Sequence, residues 1–345
     1  MPWRCRWNAF PESSLTTSRP ARVFVQLAAF AVGWILVQGI TESLAGPLAM
    51  WVSRTIGEPV PLYPWTTLAG VLGGCWAGFH VVAPIGASEA FPVWHGKQPT
   101  GIAAWLGMDA PTWQWRRLGL GFALGTAAIG LTALPLWMAG VLRFEAVPPL
   151  ADAPVGDSWG GAAVRLLVLL APAALWEELA FRGFLHAVAR DAAGAQVARW
   201  ASSVAFGAVH IMNPGAGVRT TLIVMLAGWC LVRVREQAGV PAAWLAHLAW
   251  NWIMAAVLHV AVSGQPFSAP GYRTVLDGPA WLSGGSWGPE GGLMAALVLG
   301  GGAWLGWRGR GTHRAHEETI AAGTTTGTTA GPTAAGPTSS AFVRS

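Results

Sequence analysis

The chain has 345 residues, of which 53% are hydrophobic and 11% are charged, and its formal net charge is +5. A soluble globular domain carries roughly 25% charged residues, so this chain cannot cover its surface in water and must be covered largely by lipid. Its arginines lie at the ends of apolar runs rather than in a stripe with aromatic residues, which favours a positive-inside membrane topology and excludes nucleic acid as the expected partner.

The apolar runs predict an all-α fold, a polytopic transmembrane helix bundle of about eight helices. Residues 1–20 form a polar arm that is expected in the cytoplasm. The runs that follow are residues 21–43, 66–84, 117–142, 161–189, 199–212, 219–236, 241–262 and 291–307. Because arginines precede the first helix and follow the last, both ends are expected inside, and this requires an even number of spans.

Small residues recur at every fourth position in two of these helices. Gly70, Gly74 and Gly78 lie in the second run, and Gly121 and Gly125 lie in the third. Small residues at this interval let helix backbones approach closely in lipid. We therefore assign these glycines to helix packing.

Ionisable residues interrupt the fourth run. Glu177, Glu178 and Arg182 have no other charge nearby, and each charged residue near the bilayer centre costs about 2.5–3.5 kcal/mol. Glu178 and Arg182 are four residues apart and share a helix face, so they can form an ion pair. Glu177 is rotated about 100° away and is left as a candidate base that burial would activate. The alternative is that both glutamates serve one buried salt-bridge network around Arg182.

Two further polar groups lie on later apolar helices. His210 follows Phe206 by four residues, and His247 precedes Asn251 by four residues and shares its helix face. At about 1.5 Å per residue, Glu177, His210 and His247 lie roughly 20, 16 and 9 Å from the cytoplasmic ends of their helices. We therefore expect that they can meet in one water-filled cavity that opens to the cytoplasm.

The ordered set of three motifs resembles the CAAX protease and bacteriocin-processing (CPBP) family of intramembrane proteases. The motifs are Glu177-Glu178-x-x-x-Arg182, Phe206-x-x-x-His210 and His247-x-x-x-Asn251. The phrases Phe-Arg-Gly-Phe-Leu, Ala-His-Leu-Ala-Trp-Asn, Leu106-Gly-Met-Asp and Trp115-Arg-Arg-Leu-Gly are also of the family's type. The resemblance covers about residues 105–262, which would be the protease core.

The resemblance implies peptide-bond hydrolysis within the membrane, as in type II CAAX endopeptidases. Glu177 would activate water, and Glu178 and Arg182 would organise the helix, with Phe206 as further support. His210, His247 and Asn251 would hold a metal or donate to the oxyanion. A zinc ion bound by Glu177, His210 and His247 and a metal-free mechanism both remain open.

The other segments and the wider setting follow from this core. Residues 21–104 would add transmembrane helices and a loop, residues 263–310 a loop and the last helix, and residues 311–345 a disordered Thr/Ala/Gly/Pro-rich tail. We expect a multi-pass protein of the cell membrane. Its expected substrate is a membrane-anchored protein or peptide that can carry a C-terminal lipid. The sequence leaves the oligomeric state open.

Two other functions fit the same residues. Buried acids and histidines can relay protons in a transporter, but such groups would be spread over the bundle, whereas here they concentrate in three helices. A catalytically inert relative could serve as a membrane immunity or scaffold protein. The retention of every motif residue argues for the enzyme.

Overall fold

The computed structural model describes residues 19–57, 60–82, 100–146, 158–267 and 270–304. Most of the predicted N-terminal arm, the whole of the predicted tail and the arginines after the last helix lie outside the described residues. Residues up to Ala303 form one compact unit, and a second unit begins at Trp304.

The described chain is built almost entirely of helices. The longer helices are α1 (Arg19–Ile56), α2 (Tyr63–His80), α4 (Trp115–Met138), α5 (Trp159–Glu178), α6 (His186–Val209), α7 (Val218–Ala238), α8 (Val240–Trp252) and α10 (Leu293–Trp304). Two short helices are α3 (Ile102–Leu106) and α9 (Ala280–Ser283). Two π-helical turns, Leu179–Leu185 and Ile253–Val257, continue α5 and α8.

Each predicted apolar run coincides with helical structure, and the all-α bundle is confirmed. Among the described residues, four helices are long and apolar enough to cross a membrane, namely Pro20–Thr55, Trp115–Met138, Trp159–Met212 and Val240–Val257. The third is 54 residues long, about 80 Å of helix, against a hydrocarbon core of about 30 Å. Its backbone breaks at Gly194, where φ is 84°, and this break separates the two runs that the sequence predicts there. The count of eight crossings stays a prediction.

The close approaches expected of the glycines are present. A Cβ atom on Gly121 or Gly125 would overlap the carbonyl oxygens of Ala242 and Ala246, because α4 and α8 lie backbone to backbone. A Cβ atom on Gly74 would similarly meet the backbone of Phe30 on α1. These glycines therefore allow α8 to pack closely against α4, and α1 to pack closely against α2.

A two-stranded antiparallel sheet, which the sequence did not predict, joins two loops. Strand β1 (Leu142–Ala146) pairs with β2 (Tyr272–Leu276). An isolated strand pair is marginal in stability, and Leu142, which is fully buried, anchors this one to the helices. Strand β2 lies in the segment predicted as a loop, and β1 begins where the third apolar run ends.

Two apolar clusters lie on either side of the motif helices. One joins α4, α5, α8 and the chain that follows α8, around Ile129 and Met254. The other joins α2, α3 and the first π-helical turn, around Val71, Trp105 and Phe184. The segments of α5 and α8 that carry the first and third motifs therefore lie between two packed clusters.

Candidate active site

The first motif lies where α5 passes into the π-helical turn Leu179–Leu185. Turns of this kind often occur at functional sites. Arg182 lies inside the turn, and its Nη1 donates to Glu178 Oε1 at 3.0 Å. Both side chains have no solvent exposure. The ion pair predicted from the spacing is therefore present and wholly buried.

His247 lies between the two glutamates. Its Nδ1 is 2.9 Å from Glu178 Oε1, and its Nε2 is 3.9 Å from Glu177 Oε2. A carboxylate oxygen accepts, so His247 Nδ1 carries the proton in this hydrogen bond. Glu178 therefore orients a second motif as well as pairing with Arg182, which the sequence reasoning did not foresee.

Glu177 points toward the same imidazole with an oxygen that lacks a partner. Its side chain is 20% exposed, so it can be reached from outside the bundle. Its Oε2, however, is buried and accepts no hydrogen bond from any residue that the structure describes. A buried carboxylate oxygen without a donor is costly, which makes this atom a site for water or substrate.

His210 lies at the end of α6, where it opens a short 3-10 turn, His210–Met212. Its Nδ1 is 2.7 Å from the carbonyl oxygen of Phe206. A carbonyl only accepts, so Nδ1 carries the proton and Nε2 is the ring nitrogen left for chemistry. The four-residue spacing of the second motif thus fixes the tautomer of its histidine.

The ring of Phe206 is the point where the three motifs meet. The Arg182 guanidinium carbon lies 3.8 Å from the ring centroid. The imidazoles of His210 and His247 have centroids 4.6 and 5.8 Å from it. This contact covers the buried guanidinium with an aromatic face, and it places both histidines beside the acidic pair. The structure brings His210 to the group through Phe206 rather than by direct contact with Glu177.

Asn251 completes the predicted set. It is half-buried and lies one helical turn after His247 on α8. Within the part of the chain that the structure describes, its side chain makes no hydrogen bond to protein. Its amide is therefore available as a neutral donor near the acidic pair.

The fit of these side chains to a metal ion can be tested from their positions. No group of three or more His, Cys, Asp or Glu residues converges on one point in the described ranges. Glu177 and His247 face each other, but His210 does not join them as a third ligand. The three residues that we named as possible zinc ligands thus do not form a zinc site in this arrangement, and no chemical step is routed through a metal below.

Three further features lie near the site. Trp252 Nε1 donates to the Ala163 carbonyl at 2.9 Å, so this tryptophan packs α8 against α5. His186 is buried with its Nε2 3.7 Å from Glu236 Oε1, in a separate charged cluster. Glu290 is buried near α8. Its only sequence signal is an acid in a Gly-rich stretch beside an apolar run.

Together, the fold and these contacts define a membrane-embedded protein with an acid and histidine site inside a helix bundle. Residues 159–253 match the family model described as type II CAAX prenyl endopeptidase Rce1-like. The segment that carries the three motifs is therefore similar to the CAAX protease family, as the motifs indicated, and this match indicates a membrane protease. The matched range, residues 159–253, is shorter than the protease core predicted from the motifs, residues 105–262. No curated protein and no solved structure matches the chain.

Proposed function

We propose that the protein is an intramembrane endopeptidase that hydrolyses a peptide bond in a membrane-associated protein or peptide, with Glu177 as the base. The observation that carries this proposal is the pair formed by Glu177 Oε2 and His247 Nε2. These atoms lie 3.9 Å apart, and the carboxylate oxygen is buried without a donor. A polar gap of this length between two unsatisfied atoms suits a bridging water.

The water would be held by both groups before it reacts. Glu177 Oε2 accepts one of its hydrogens, and His247 Nε2 accepts the other because Nδ1 is committed to Glu178. A lone pair on the water then points away from both groups, toward the space that a substrate carbonyl would enter. Glu178 and Arg182 support this geometry by fixing the imidazole tautomer.

Hydrolysis then follows in two steps. Glu177 takes a proton from the water as its oxygen bonds to the carbonyl carbon, and the carbonyl oxygen becomes the oxyanion of a tetrahedral intermediate. When the carbon–nitrogen bond breaks, Glu177 returns that proton to the leaving amine. The oxyanion re-forms the carbonyl as this bond breaks, so the products are a carboxylic acid and an amine, and the carboxylate of Glu177 is restored. The acid then gives its proton to the amine, which leaves a carboxylate and an ammonium group.

Asn251 is the candidate for oxyanion stabilisation. The Asn251 amide is a neutral donor one turn from His247, and a preorganised donor of this kind is typically worth several kcal/mol at a developing negative charge. His210 presents Nε2 as an acceptor beside the Phe206 ring. We assign oxyanion stabilisation to Asn251, and we assign to His210 the positioning of the substrate or the water.

The substrate class follows from the setting of the site and from the matched family. A base buried among membrane helices would act on a peptide bond held near the bilayer, and the family's description refers to prenylated CAAX proteins. We propose a membrane-anchored substrate, with a C-terminally prenylated peptide as the first one to test. A cell-membrane location and a site that opens to the cytoplasm complete the proposal.

Cleavage by the purified full chain in lipid nanodiscs tests the proposed base. Glu177→Gln keeps the shape of the side chain but removes its basicity, and loss of a general base costs typically 10²–10⁴-fold in rate. Glu145→Gln, an exposed carboxylate on the β1–β2 sheet, is the matched control and should retain wild-type activity. Cleavage of prenylated and unmodified peptides that persists in Glu177→Gln would overturn the proposed base.

Metal analysis of the same preparation separates the two chemistries. The metal-free form predicts that cleavage survives chelators and that the active protein carries less than one equivalent of zinc. Stoichiometric zinc together with chelator-sensitive cleavage would overturn this form while leaving Glu177 in the site. A protein that binds the peptide but never cuts it would instead favour the inert scaffold.

A further inference from the structure

Glu290 is a buried acid outside the matched residues 159–253. It lies in the 3-10 turn Pro289–Gly291 just before α10, and it is 9% exposed. None of the three motifs includes it. An acid in such a place is costly unless it is satisfied by its surroundings, so its partners indicate what it does.

Three donors converge on the Glu290 carboxylate. Trp250 Nε1 donates to Oε2 at 2.8 Å. The hydroxyl of Ser263 donates to Oε1 at 2.9 Å, and the backbone N–H of Ser263 donates to the same oxygen. Burial raises the pKa of Glu290, while the bonds from Trp250 and Ser263 act in the opposite direction. A set made only of donors suits the acceptor-only group that a carboxylate provides.

One of these donors belongs to the helix of the third motif. Trp250 immediately precedes Asn251 and lies three residues after His247 on α8. Its indole nitrogen can reach the Glu290 carboxylate only when α8 holds one rotation about its axis. The bond therefore fixes the direction in which Asn251 and His247 point.

The other donor leads to the second motif. Asn213, three residues after His210, donates its Nδ2 to the carbonyl oxygen of Ser263 at 3.0 Å. Ser263 has a positive φ of 50°, a conformation that a residue with a side chain keeps only when its surroundings impose it. Through Ser263, Glu290 is tied to the turn that begins at His210.

The segments around Glu290 are tightly packed. We call residues 261–264 together with residues 284–292 the C-terminal clamp. Gly264 donates to the Trp287 carbonyl at 3.3 Å, and a Cβ atom on Gly288 would overlap the carbonyl oxygen of Ala261. Trp287 is 1% exposed and packs against Phe206, the ring at which the three motifs meet. The clamp therefore has little freedom to shift.

We propose that Glu290 is a positioning residue of the active site. It couples the helix of His247 and Asn251 to the His210 turn, because it accepts from Trp250 on that helix and from Ser263, whose carbonyl accepts from Asn213 after the His210 turn. The inference rests on the proposed hydrolysis and deepens it. It assigns part of the catalytic geometry to a segment that lies beyond the three motifs.

Steady-state cleavage by the full chain in nanodiscs tests this role. In Glu290→Gln, the new amide keeps one acceptor for Ser263 but turns an N–H toward the N–H of Trp250. We expect kcat to fall about 10–100-fold, the usual cost of disturbing groups that orient a site, while KM and the melting temperature change little. Adding Trp250→Phe removes the opposing donor, so the double variant should have a higher kcat than Glu290→Gln alone.

Ser263→Ala provides a milder variant if Glu290→Gln does not fold. It removes the hydroxyl donor and leaves the backbone N–H, so a smaller loss of kcat in the same direction is expected. Glu145→Gln is again the carboxylate control. A folded Glu290→Gln protein with wild-type kcat, additive effects of the Glu290 and Trp250 changes, or wild-type kcat in Ser263→Ala would overturn the proposal.

A readout that does not need catalysis separates this inference from the proposed function. The chain has eight histidines, and their ring nitrogens can be followed by NMR of ¹⁵N-histidine-labelled protein, with His210 assigned by its loss in His210→Gln. Glu290→Gln should shift the His210 signal and Glu145→Gln should not. If Glu290→Gln shifts the His210 signal but the wild-type protein cleaves no peptide, the proposed function is refuted and the positioning role of Glu290 is supported. If the wild-type protein cleaves the peptide but Glu290→Gln leaves the His210 signal unmoved, the positioning role of Glu290 is refuted and the proposed function stands.

Discussion

The first helix, α1, and the helix of the third motif, α8, differ in how much of their surface is covered by protein. Only 6% of the most apolar stretch of α1 is buried inside the protein, against 61% of Val240–Val257, which comprises α8 and its π-helical continuation. The side chains of Phe24, Ile35 and Leu44 on α1 are more than 70% exposed. Lipid is the natural neighbour of such a surface, whereas α8 is surrounded by protein.

This difference explains where polar chemistry can be placed. On α8, the indole of Trp244 donates to the Ala171 carbonyl at 2.9 Å, and the indole of Trp252 is bound to α5 in the same way. The imidazole of His247 is held by Glu178. An enclosed helix can satisfy its polar groups with protein partners, and a lipid-facing helix cannot. The tryptophans of α8 therefore cross-link helices rather than mark the membrane surface.

Loss of the buried ion pair should produce the largest difference between an enclosed and an open site. Arg182→Gln leaves Glu178 buried without its cation, so the free energy of unfolding should fall by about 3–5 kcal/mol. Arg273→Gln breaks an exposed pair with Glu145 and should cost at most about 1 kcal/mol. Denaturation in detergent micelles measures both variants, and equal losses would contradict the enclosure of the first motif.

Two methionines compare the interior and the lipid face directly. Met254 is fully buried next to α8, and Met50 on α1 is 57% exposed. Met254→Ala should lower the free energy of unfolding by about 2–5 kcal/mol because it leaves a cavity, while Met50→Ala should change it by about 0.5 kcal/mol or less. The same unfolding measurement decides, and a large loss in Met50→Ala would show that α1 is covered by protein.

Alanine substitutions of glycines on α4 should have a smaller effect on stability, and its sign should depend on whether the glycine contacts α8. Gly125→Ala places a methyl group against the Ala246 carbonyl and should destabilise the protein by about 1–3 kcal/mol through overpacking. A Cβ atom on Gly130 of the same helix meets nothing within 4 Å, so Gly130→Ala should stabilise it by about 0.5–1 kcal/mol. Thermal unfolding of the two variants would show opposite shifts. Shifts of the same sign would rule out close packing at Gly125.

Local periodicity was enough to predict much of the fold and part of the site. The apolar runs predicted the helices, and the four-residue spacing of Glu178 and Arg182 predicted their ion pair. The same spacing in Gly121 and Gly125 predicted a close helix contact. These features depend on neighbours along one helix, where the geometry of the α-helix determines which residues share a face.

The remaining contacts join residues that are distant in the chain. No local spacing encodes these contacts, because they form only when several helices pack together. They are the contacts between Glu178 and His247, between Ser263 and Glu290, and between the strands β1 and β2. The same holds for the positions of His210 and Glu177, which belong to no group of three or more possible metal ligands in the described ranges.

The sequence by itself determined that the protein lies in a membrane and that it is a helix bundle, and it supplied the motif residues to which we propose to assign the chemistry. The reason is that charge, apolar length and helical spacing are properties of short stretches of chain. Only the tertiary structure decided that His247 lies between the two glutamates, that Phe206 contacts residues of all three motifs and that Glu290 accepts a hydrogen bond from Trp250. Those relations arise from the packing of helices against one another, where an unpaired polar group is costly and each buried donor must find an acceptor.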